Sequence, residues 1–197
     1  QSRLYDEMVG RIKKDDSSVP YELDGYFYYT RYEGALEYPL YCRKKGSLAA
    51  EEEIMLNVNE LAEGHEYYQV SGLTMHPSNQ KISFGVDTVS RRIYTIYTKD
   101  LVSGAIDIVT ENECTGGSTW SADGNYLFYT AKDLETLRSD KIKRWDAQTG
   151  THELIFEEKD ETFSTFVYNT RSKEYIIIGS GSTVSDEYRF IPANEPL

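Results

Sequence analysis

Short apolar runs separated by polar turns make up most of the chain. From Tyr21 onward the runs are rich in Tyr, Ile, Val, Thr and Phe, and the segments between them are rich in Gly, Asn, Asp and Ser. This alternation is typical of β-strands joined by turns. The first residues differ, because their apolar positions share one helical face and predict a short helix within residues 1–16. Those positions are Leu4, Tyr5, Met8, Val9 and Ile12.

The turn-and-strand pattern repeats after about 45 residues. The segment 76–84 matches 121–129 at an offset of 45 residues, and 96–104 matches 142–150 at an offset of 46. Both members of the second pair end in Asp-x-x-Ser/Thr-Gly, in which the Asp side chain can cap the turn and the Gly supplies a positive φ. A period of about 45 residues with four short strands per unit is typical of a β-propeller blade.

The pattern therefore predicts an all-β fold, a β-propeller fragment with a short N-terminal helix. Residues 1–20 form the helix and a linker, and residues 21–197 form about 3.5 to 4 blades of four antiparallel strands, the last blade incomplete. The predicted strands are 25–32, 38–44 and 53–58; 70–75, 81–87, 92–99 and 105–110; 116–120, 126–131, 140–146 and 152–157; and 162–168, 174–179 and 186–191.

Charge and composition exclude some classes of protein. The chain has 21 Lys and Arg against 33 Asp and Glu, a net charge of −12. Such a surface repels nucleic-acid backbones, so we expect no nucleic-acid partner. An acidic surface suits cationic partners. The alternative is that it only keeps the protein soluble. No segment has the roughly 18 consecutive apolar residues of a membrane span, so we expect no membrane partner. Cys42 and Cys114 predict two buried free thiols in a cytoplasmic protein, with a single disulfide as the alternative.

Residue chemistry alone reveals no catalytic centre. A hydrolase nucleophile elbow requires Gly-x-Ser-x-Gly, and the nearest segments, 116–120 and 179–183, lack the closing Gly. The three histidines, His65, His76 and His152, fall on separate strands and turns without metal-ligand spacing. The acidic runs lack the residue order of a calcium loop. We therefore expect no catalytic residue, no metal and no cofactor in this chain.

Six segments resemble the propeller domain of the oligopeptidase B (protease II) branch of the prolyl oligopeptidase family of serine peptidases. They are 15–21, 26–31, 37–43, 89–94, 154–162 and 172–178. The resemblance runs essentially the whole length in order. It is specific, because a generic propeller would share the turns but not the Arg91-Arg92 pair or the Glu-Glu-Lys-Asp run at 157–160. The charged loop 132–140 departs from relatives, which often carry a more apolar, Pro-containing loop there.

The resemblance implies a seven-bladed propeller that caps a catalytic α/β-hydrolase domain, which follows it in sequence and is absent from this chain. It implies a serine endopeptidase that cleaves short peptides after Arg or Lys, with the propeller as a gated substrate filter. The implied partners are its own catalytic domain and short basic peptides. A fragment with unpaired blade edges is also expected to self-associate.

The resemblance further implies two interdomain gating candidates, Glu66 and Arg92, at positions that look like interface salt-bridge partners. The alternative is structural: Glu66 caps a turn, and Arg92 pairs on the propeller surface. An alternative function is a non-catalytic propeller scaffold that binds a protein partner. The family-like segments favour the peptidase over the scaffold.

Overall fold

The structure, a computed structural model, describes residues 2–34 and 36–196. The chain divides into two compact units, Gln1–His65 and Glu66–Leu197. Helix α1 spans Ser2–Gly10, so it is shorter than the sequence pattern predicts, and it buries none of its residues. Helix α2 is a single turn, Val58–Leu61, capped by the side chain of Asn57. Within the described residues, neither helix is long and apolar enough to cross a bilayer.

The first unit contains one antiparallel sheet with its strands in sequence order. They are β1 (Tyr21–Leu23), β2 (Tyr26–Arg31), β3 (Leu40–Lys45) and β4 (Glu52–Asn57). Strand β1 was not among the predicted strands. It forms because Asp24 and Gly25, both with positive φ (51° and 75°), make a two-residue turn that brings Leu23 opposite Tyr26. Asp-Gly is a favoured sequence for such a hairpin turn.

The second unit contains a seven-stranded and a three-stranded antiparallel sheet, each a meander in sequence order. The larger sheet contains β5 (Gln69–Met75), β6 (Lys81–Asp87), β7 (Tyr94–Asp100), β8 (Ile106–Trp120), β9 (Tyr126–Lys132), β10 (Ser139–Asp146) and β11 (His152–Glu157). The smaller sheet contains β12 (Ser164–Asn169), β13 (Tyr175–Gly181) and β14 (Asp186–Pro192). These strands confirm the predicted propeller fragment.

Strand β8 corrects one detail of the prediction. The sequence pattern predicts separate strands at 105–110 and 116–120, but the structure has one strand of 15 residues. Its first part pairs with β7, and its last residues, Ser118 to Trp120, pair with β9. Positive φ values at Asn112 (45°) and Gly116 (86°) redirect the chain between the two pairings. The repeat that contains β5 to β7 and the repeat that contains β9 to β11 are therefore joined by the continuous strand β8.

Two apolar clusters lie on opposite faces of the repeat formed by the end of β8 with β9, β10 and β11. Alternate residues of β9 supply both, since successive side chains of a strand point to opposite faces. Leu127 and Tyr129 join the cluster shared with β7 and β8, whereas Phe128 joins the cluster shared with β13. Cys114 is buried in the first cluster. It and Cys42 are both free and buried, which confirms that prediction.

Candidate functional site

The loop that carries Arg92, between β6 and β7, is tightly held. Asp87 is buried, and its carboxylate accepts hydrogen bonds from the backbone N–H groups of Val89 (2.8 Å) and Arg92 (2.7 Å). Ser90 and Arg92 both have left-handed backbone, with φ of 60° and 57°. Non-glycine residues in this region cost about 1 kcal/mol or more, so they persist only where surrounding contacts hold them. The Asp87 carboxylate provides those contacts.

A lysine from the next repeat holds Arg92 from its other side. Lys132 is the last residue of β9, and its Nζ donates a hydrogen bond of 2.7 Å to the backbone carbonyl oxygen of Arg92. Both backbone polar groups of Arg92 therefore have a partner. The Arg92 residue itself is exposed. Its position is thus fixed by contacts of its backbone.

This loop borders an open pocket of about 540 Å³, here called the Arg92 pocket. Its lining residues are Tyr67, Gln69, Ser90, Arg92, Tyr94, Thr115 and Lys132. Of these lining residues, Arg92 and Lys132 carry positive charge. Within the described part of the chain, no lining residue is Asp or Glu. Burial raises the pKa of the Tyr94 phenol, the charges of Asp87 and Tyr67 raise it further, and the charge of Arg92 opposes them. The lining is therefore polar and carries two cationic side chains, with the buried Asp87 carboxylate close enough to act on Tyr94.

Glu66 lies at the same end of the unit, immediately before the lining residue Tyr67. It is exposed and occupies a bend before β5. Within residues 2–34 and 36–196, no ion pair involves the side chain of Glu66 or Arg92. The structure therefore does not pair either candidate internally. Their role as gating residues stays a prediction.

A smaller pocket of about 300 Å³ lies beside the end of β11. It is lined by Phe156, Glu157, Glu158, Lys159, Asp160, Phe163, Glu187 and Arg189. The guanidinium of Arg189 lies 4.4 Å from the Phe156 ring centroid and 2.9 Å from a carboxylate oxygen of Glu187. The chain's own arginine therefore occupies one aromatic ring and one carboxylate of this pocket, those of Phe156 and Glu187. No group of metal ligands is found among the described residues.

The other residues considered for chemistry have structural partners. Ser118, in the elbow-like segment, is buried against Ser83 with 3.0 Å between the two hydroxyl oxygens. Nε2 of His76 lies 3.1 Å from the carbonyl oxygen of Gly124, and Nδ1 of His152 lies 2.9 Å from the hydroxyl of Tyr129. These contacts tie neighbouring strands and turns together, and none of them forms a nucleophile–base pair.

Sequence reasoning identified Arg92 but missed Asp87 and Lys132. An Asp at the end of a strand, before a polar turn, is a capping signal, and it could have indicated Asp87. The contact of Lys132 joins residues 40 positions apart. Nothing local in the sequence indicates it. The loop 132–140 is a compact turn in which Asp133 accepts hydrogen bonds from the N–H groups of Glu135 (3.1 Å) and Thr136 (2.7 Å).

The whole chain, residues 1–197, matches the family model described as prolyl oligopeptidase, N-terminal beta-propeller domain. The chain belongs to this family. It is 36% identical to dipeptidyl aminopeptidase BI of Pseudoxanthomonas mexicana, covering 100% of this chain and 30% of that relative. It is 33% identical to Protease 2 of Moraxella lacunata, covering 99% of this chain and 29% of that relative.

Solved structures agree with this membership. Oligopeptidase B from Leishmania major superposes with a TM-score of 0.89 at 30% sequence identity, covering 100% of this chain and 28% of that chain. A closed form of oligopeptidase B from Trypanosoma brucei, with covalently bound antipain, gives a TM-score of 0.86 at 26% identity, covering 98% of this chain and 27% of that chain. These matches confirm the propeller fold and the resemblance to oligopeptidase B. The chain spans less than a third of the length of these relatives.

Proposed function

We propose that this chain is the propeller portion of a serine oligopeptidase that cleaves short peptides after Arg or Lys. The observation that carries the proposal is the match along the whole chain to oligopeptidase B from Leishmania major. The net charge of −12 supports it, because an acidic propeller attracts cationic peptides. The attraction reaches about 8–10 Å at physiological salt.

The propeller would contribute access rather than chemistry. Its own catalytic domain is the principal partner, and opening between the two would admit short peptides and exclude folded proteins. Glu66 and Arg92 are proposed to stabilise the closed form through ion pairs with that domain. The absence of internal ion pairs for either side chain, within the described residues, is consistent with such a role. Cytoplasmic location and self-association of the isolated chain stay predictions.

The test uses the complete polypeptide and peptide amides that differ only in the residue before the scissile bond. We expect cleavage after Arg and Lys, with kcat/KM falling as salt is added while kcat changes less, since steering acts on association. A preference for Pro or apolar residues would overturn the proposed specificity.

A second candidate activity is favoured by one relative, the dipeptidyl aminopeptidase BI of Pseudoxanthomonas mexicana. The same experiment separates the two activities when each peptide is made with a free and with an acetylated N-terminus. An endopeptidase cleaves both forms, whereas a dipeptidyl aminopeptidase needs the free amine. A complete polypeptide that cleaves neither would favour the non-catalytic scaffold.

Glu66→Gln tests the gate in the complete polypeptide. If Glu66 stabilises the closed form, its neutral analogue should change kcat and KM together. Glu63→Gln is the matched control, since Glu63 is exposed three residues earlier. Kinetics of Glu66→Gln that equal those of Glu63→Gln would show that Glu66 is an ordinary surface residue.

A further inference from the structure

The dipeptide Asp-Gly occurs twice in the chain, at residues 24–25 and 123–124. Both copies lie in turns between strands, and both glycines have a φ of 75°. An aspartate followed by glycine is a reactive pair, because glycine has no Cβ to shield its backbone nitrogen from the neighbouring carboxyl group. The two copies therefore share the same chemistry, and their surroundings decide whether it occurs.

The side chain and the backbone of an Asp-Gly pair can react with each other, with no reactant besides water. The backbone nitrogen of the glycine attacks Cγ of the neutral aspartic acid. The N–Cγ bond forms, the bond from Cγ to the hydroxyl oxygen breaks, and the hydroxyl leaves with the amide proton as water. Water then hydrolyses the cyclic imide at one of its two carbonyl carbons. Attack at Cγ restores aspartate, whereas attack at the main-chain carbon leaves isoaspartate, whose main chain runs through Cβ and Cγ.

The turn at Asp24 has room to rearrange for this reaction. Asp24 and Gly25 are both exposed, and a Cβ built on Gly25 would meet nothing within 4 Å. The carbonyl oxygen of Gly25 accepts the N–H of Gly46 at 2.8 Å, but the reacting nitrogen belongs to the preceding peptide unit. The turn joins β2 to β1, which consists of three exposed residues at the edge of its sheet. Short exposed elements of this kind open locally at little cost in free energy.

The turn at Asp123 is held at both reacting groups. The Asp123 carboxylate accepts hydrogen bonds from the hydroxyl of Ser121 (2.5 Å) and from the backbone and side-chain N–H groups of Asn125 (3.0 and 2.7 Å). The backbone N–H of Gly124 donates to the carbonyl oxygen of Ser121 at 3.0 Å. A Cβ on Gly124 would lie 2.1 Å from Nε2 of His76, so the imidazole covers the glycine. This turn must therefore open before its nitrogen can reach Cγ.

We propose that Asp24 is a site of spontaneous conversion to isoaspartate and that the fold protects Asp123 from the same reaction. Conversion adds one carbon atom to the main chain of a two-residue turn, and turn length fixes the register of a hairpin. Leu23 would no longer lie opposite Tyr26, and the stacked rings of Tyr21 and Tyr28, with centroids 5.6 Å apart, would separate. The modified protein therefore loses β1 from its sheet. The inference does not depend on the proposed peptidase activity.

The test compares the two aspartates within one sample of the complete polypeptide, kept for several weeks in mildly acidic buffer. Trypsin places them in separate peptides, because Lys14 and Arg31 flank Asp24, while Lys99 and Lys132 flank Asp123. Electron-transfer fragmentation then locates isoaspartate in each peptide, since it cleaves the main-chain Cα–Cβ bond that only isoaspartate has. We expect isoaspartate to form at Asp24 about tenfold faster than at Asp123, because the second turn must first open.

Unfolding the protein in urea provides the control for local sequence. Both aspartates should then convert at similar rates, because the contacts that protect Asp123 are lost. Equal rates in the folded protein would show that the proposal is wrong. So would a lack of isoaspartate at Asp24 over a period in which the unfolded chain forms it, or a tenfold difference that persists in urea.

Asp24→Asn provides a second variant that keeps the hairpin, since Asn-Gly favours the same kind of turn. Its side-chain amide loses ammonia in place of water, which is the faster reaction, so isoaspartate should form sooner at residue 24 than in the parent. Hydrogen exchange measures the consequence. Once isoaspartate has formed, backbone amides of residues 21–28 should exchange faster than in fresh protein, while those of β9 stay protected. Unchanged protection at 21–28 would contradict the loss of β1.

Discussion

The second unit joins its repeats in two different ways. Where the repeat β5 to β8 meets the repeat that begins at the end of β8, backbones approach directly: a Cβ added to Gly85 would lie 2.3 Å from Cα of Gly116. The repeat formed by the end of β8 with β9, β10 and β11 also meets β12 to β14. Large side chains fill the space there. Phe128, Ile142 and Ile176 are fully buried in one cluster there. We call these the glycine seam and the aliphatic seam.

Polar contacts cross both seams. In the glycine seam, the hydroxyl of Thr74 donates to the carbonyl oxygen of Ser118 at 2.9 Å, and Lys132 and His76 contact the carbonyl oxygens of Arg92 and Gly124. In the aliphatic seam, one arginine makes several such contacts. Arg138 donates to the carbonyl oxygens of Glu158 (3.0 Å), Asp160 (3.1 Å) and Phe163 (2.9 Å), on the segment that leads into β12.

The comparison shows that one fold repeat can be stabilised by the absence or by the presence of side-chain volume. The continuous strand β8 links the two repeats of the glycine seam, and the contact of Gly85 with Gly116 leaves no room for a side chain, although Trp120, Leu127 and Tyr129 pack elsewhere between the same repeats. The aliphatic seam has no shared strand and depends on packed volume. The protein should therefore lose stability when a methyl group is added at the glycine seam and when one is removed at the aliphatic seam.

The largest effect is expected from adding a methyl group to the glycine seam. In Gly85→Ala the new Cβ would clash with backbone atoms of Gly116, which cannot rotate away. We expect a loss of about 3 kcal/mol in the free energy of unfolding, measured by urea denaturation. Gly117→Ala is the control, because its Cβ would meet nothing nearer than Oγ1 of Thr115 at 4.0 Å. Equal losses in the two variants would show that the seam can expand.

The next effect is expected from Arg138→Met, which removes the donor shared by three carbonyl groups. Hydrogen bonds to a charged donor contribute more than neutral ones, so we expect a loss of about 2 kcal/mol. Arg171→Met, on the exposed turn between β12 and β13, serves as the control and should stay within about 0.5 kcal/mol of the parent. If both variants unfold at the same urea concentration, the carbonyl contacts do not stabilise the aliphatic seam.

A smaller effect is expected from removing one methyl group from the aliphatic seam. Ile176 has no exposed surface, so Ile176→Val should cost about 1 kcal/mol. Ile108→Val makes the same change on β8, where the residue is 54% exposed, and should cost far less. Urea midpoints of the two variants give the comparison. A midpoint for Ile176→Val equal to that of Ile108→Val would contradict the role of packed volume.

The sequence predicted the strands well because their ends are encoded locally. In the repeated Asp-x-x-Ser/Thr-Gly turns, Asp100 accepts from the N–H of Ser103 at 2.8 Å, and Asp146 accepts from the N–H of Thr149 at 3.1 Å. Gly104 and Gly150 have the positive φ that the pattern requires. The capped turns repeat because each blade needs the same reversal at the same place.

The seams and the Arg92 pocket could not be predicted in the same way. Each depends on residues far apart in sequence, such as Gly85 with Gly116, or Lys132 with Arg92. Periodicity shows which residues share a strand face, but not how closely two strands approach. The continuity of β8 was missed for a related reason, since the polar residues 111–115 look like a turn and instead continue the strand, with Asn112 in the left-handed region.

The smallest expected effect concerns His76, which joins the turns of two repeats across the glycine seam. Its Nε2 faces a carbonyl oxygen, that of Gly124, so Nε2 carries the proton. Its Nδ1 then accepts the backbone N–H of Ser78 at 3.0 Å. Burial lowers the pKa of His76 below its ordinary value of 6.5; Lys81 adds to this, while Asp123 and the bond to Gly124 oppose it. A second proton would cost the ring its acceptor at Nδ1.

Because the folded state holds this proton less tightly than the unfolded state, the stabilising contribution of His76 is complete above about pH 6.5 and declines as pH falls through the folded pKa. His76→Gln keeps a donor for the Gly124 carbonyl but does not titrate. We expect the urea midpoint of the parent to fall between pH 7.5 and 5.5 by more than that of His76→Gln. His65 and His152 are present in both proteins, so their effects on the urea midpoint cancel when the two proteins are compared. Identical pH dependence would mean that His76 accepts a proton in the folded state without loss of the Ser78 contact, and the glycine seam would then depend on close backbone packing without a contribution from this ring.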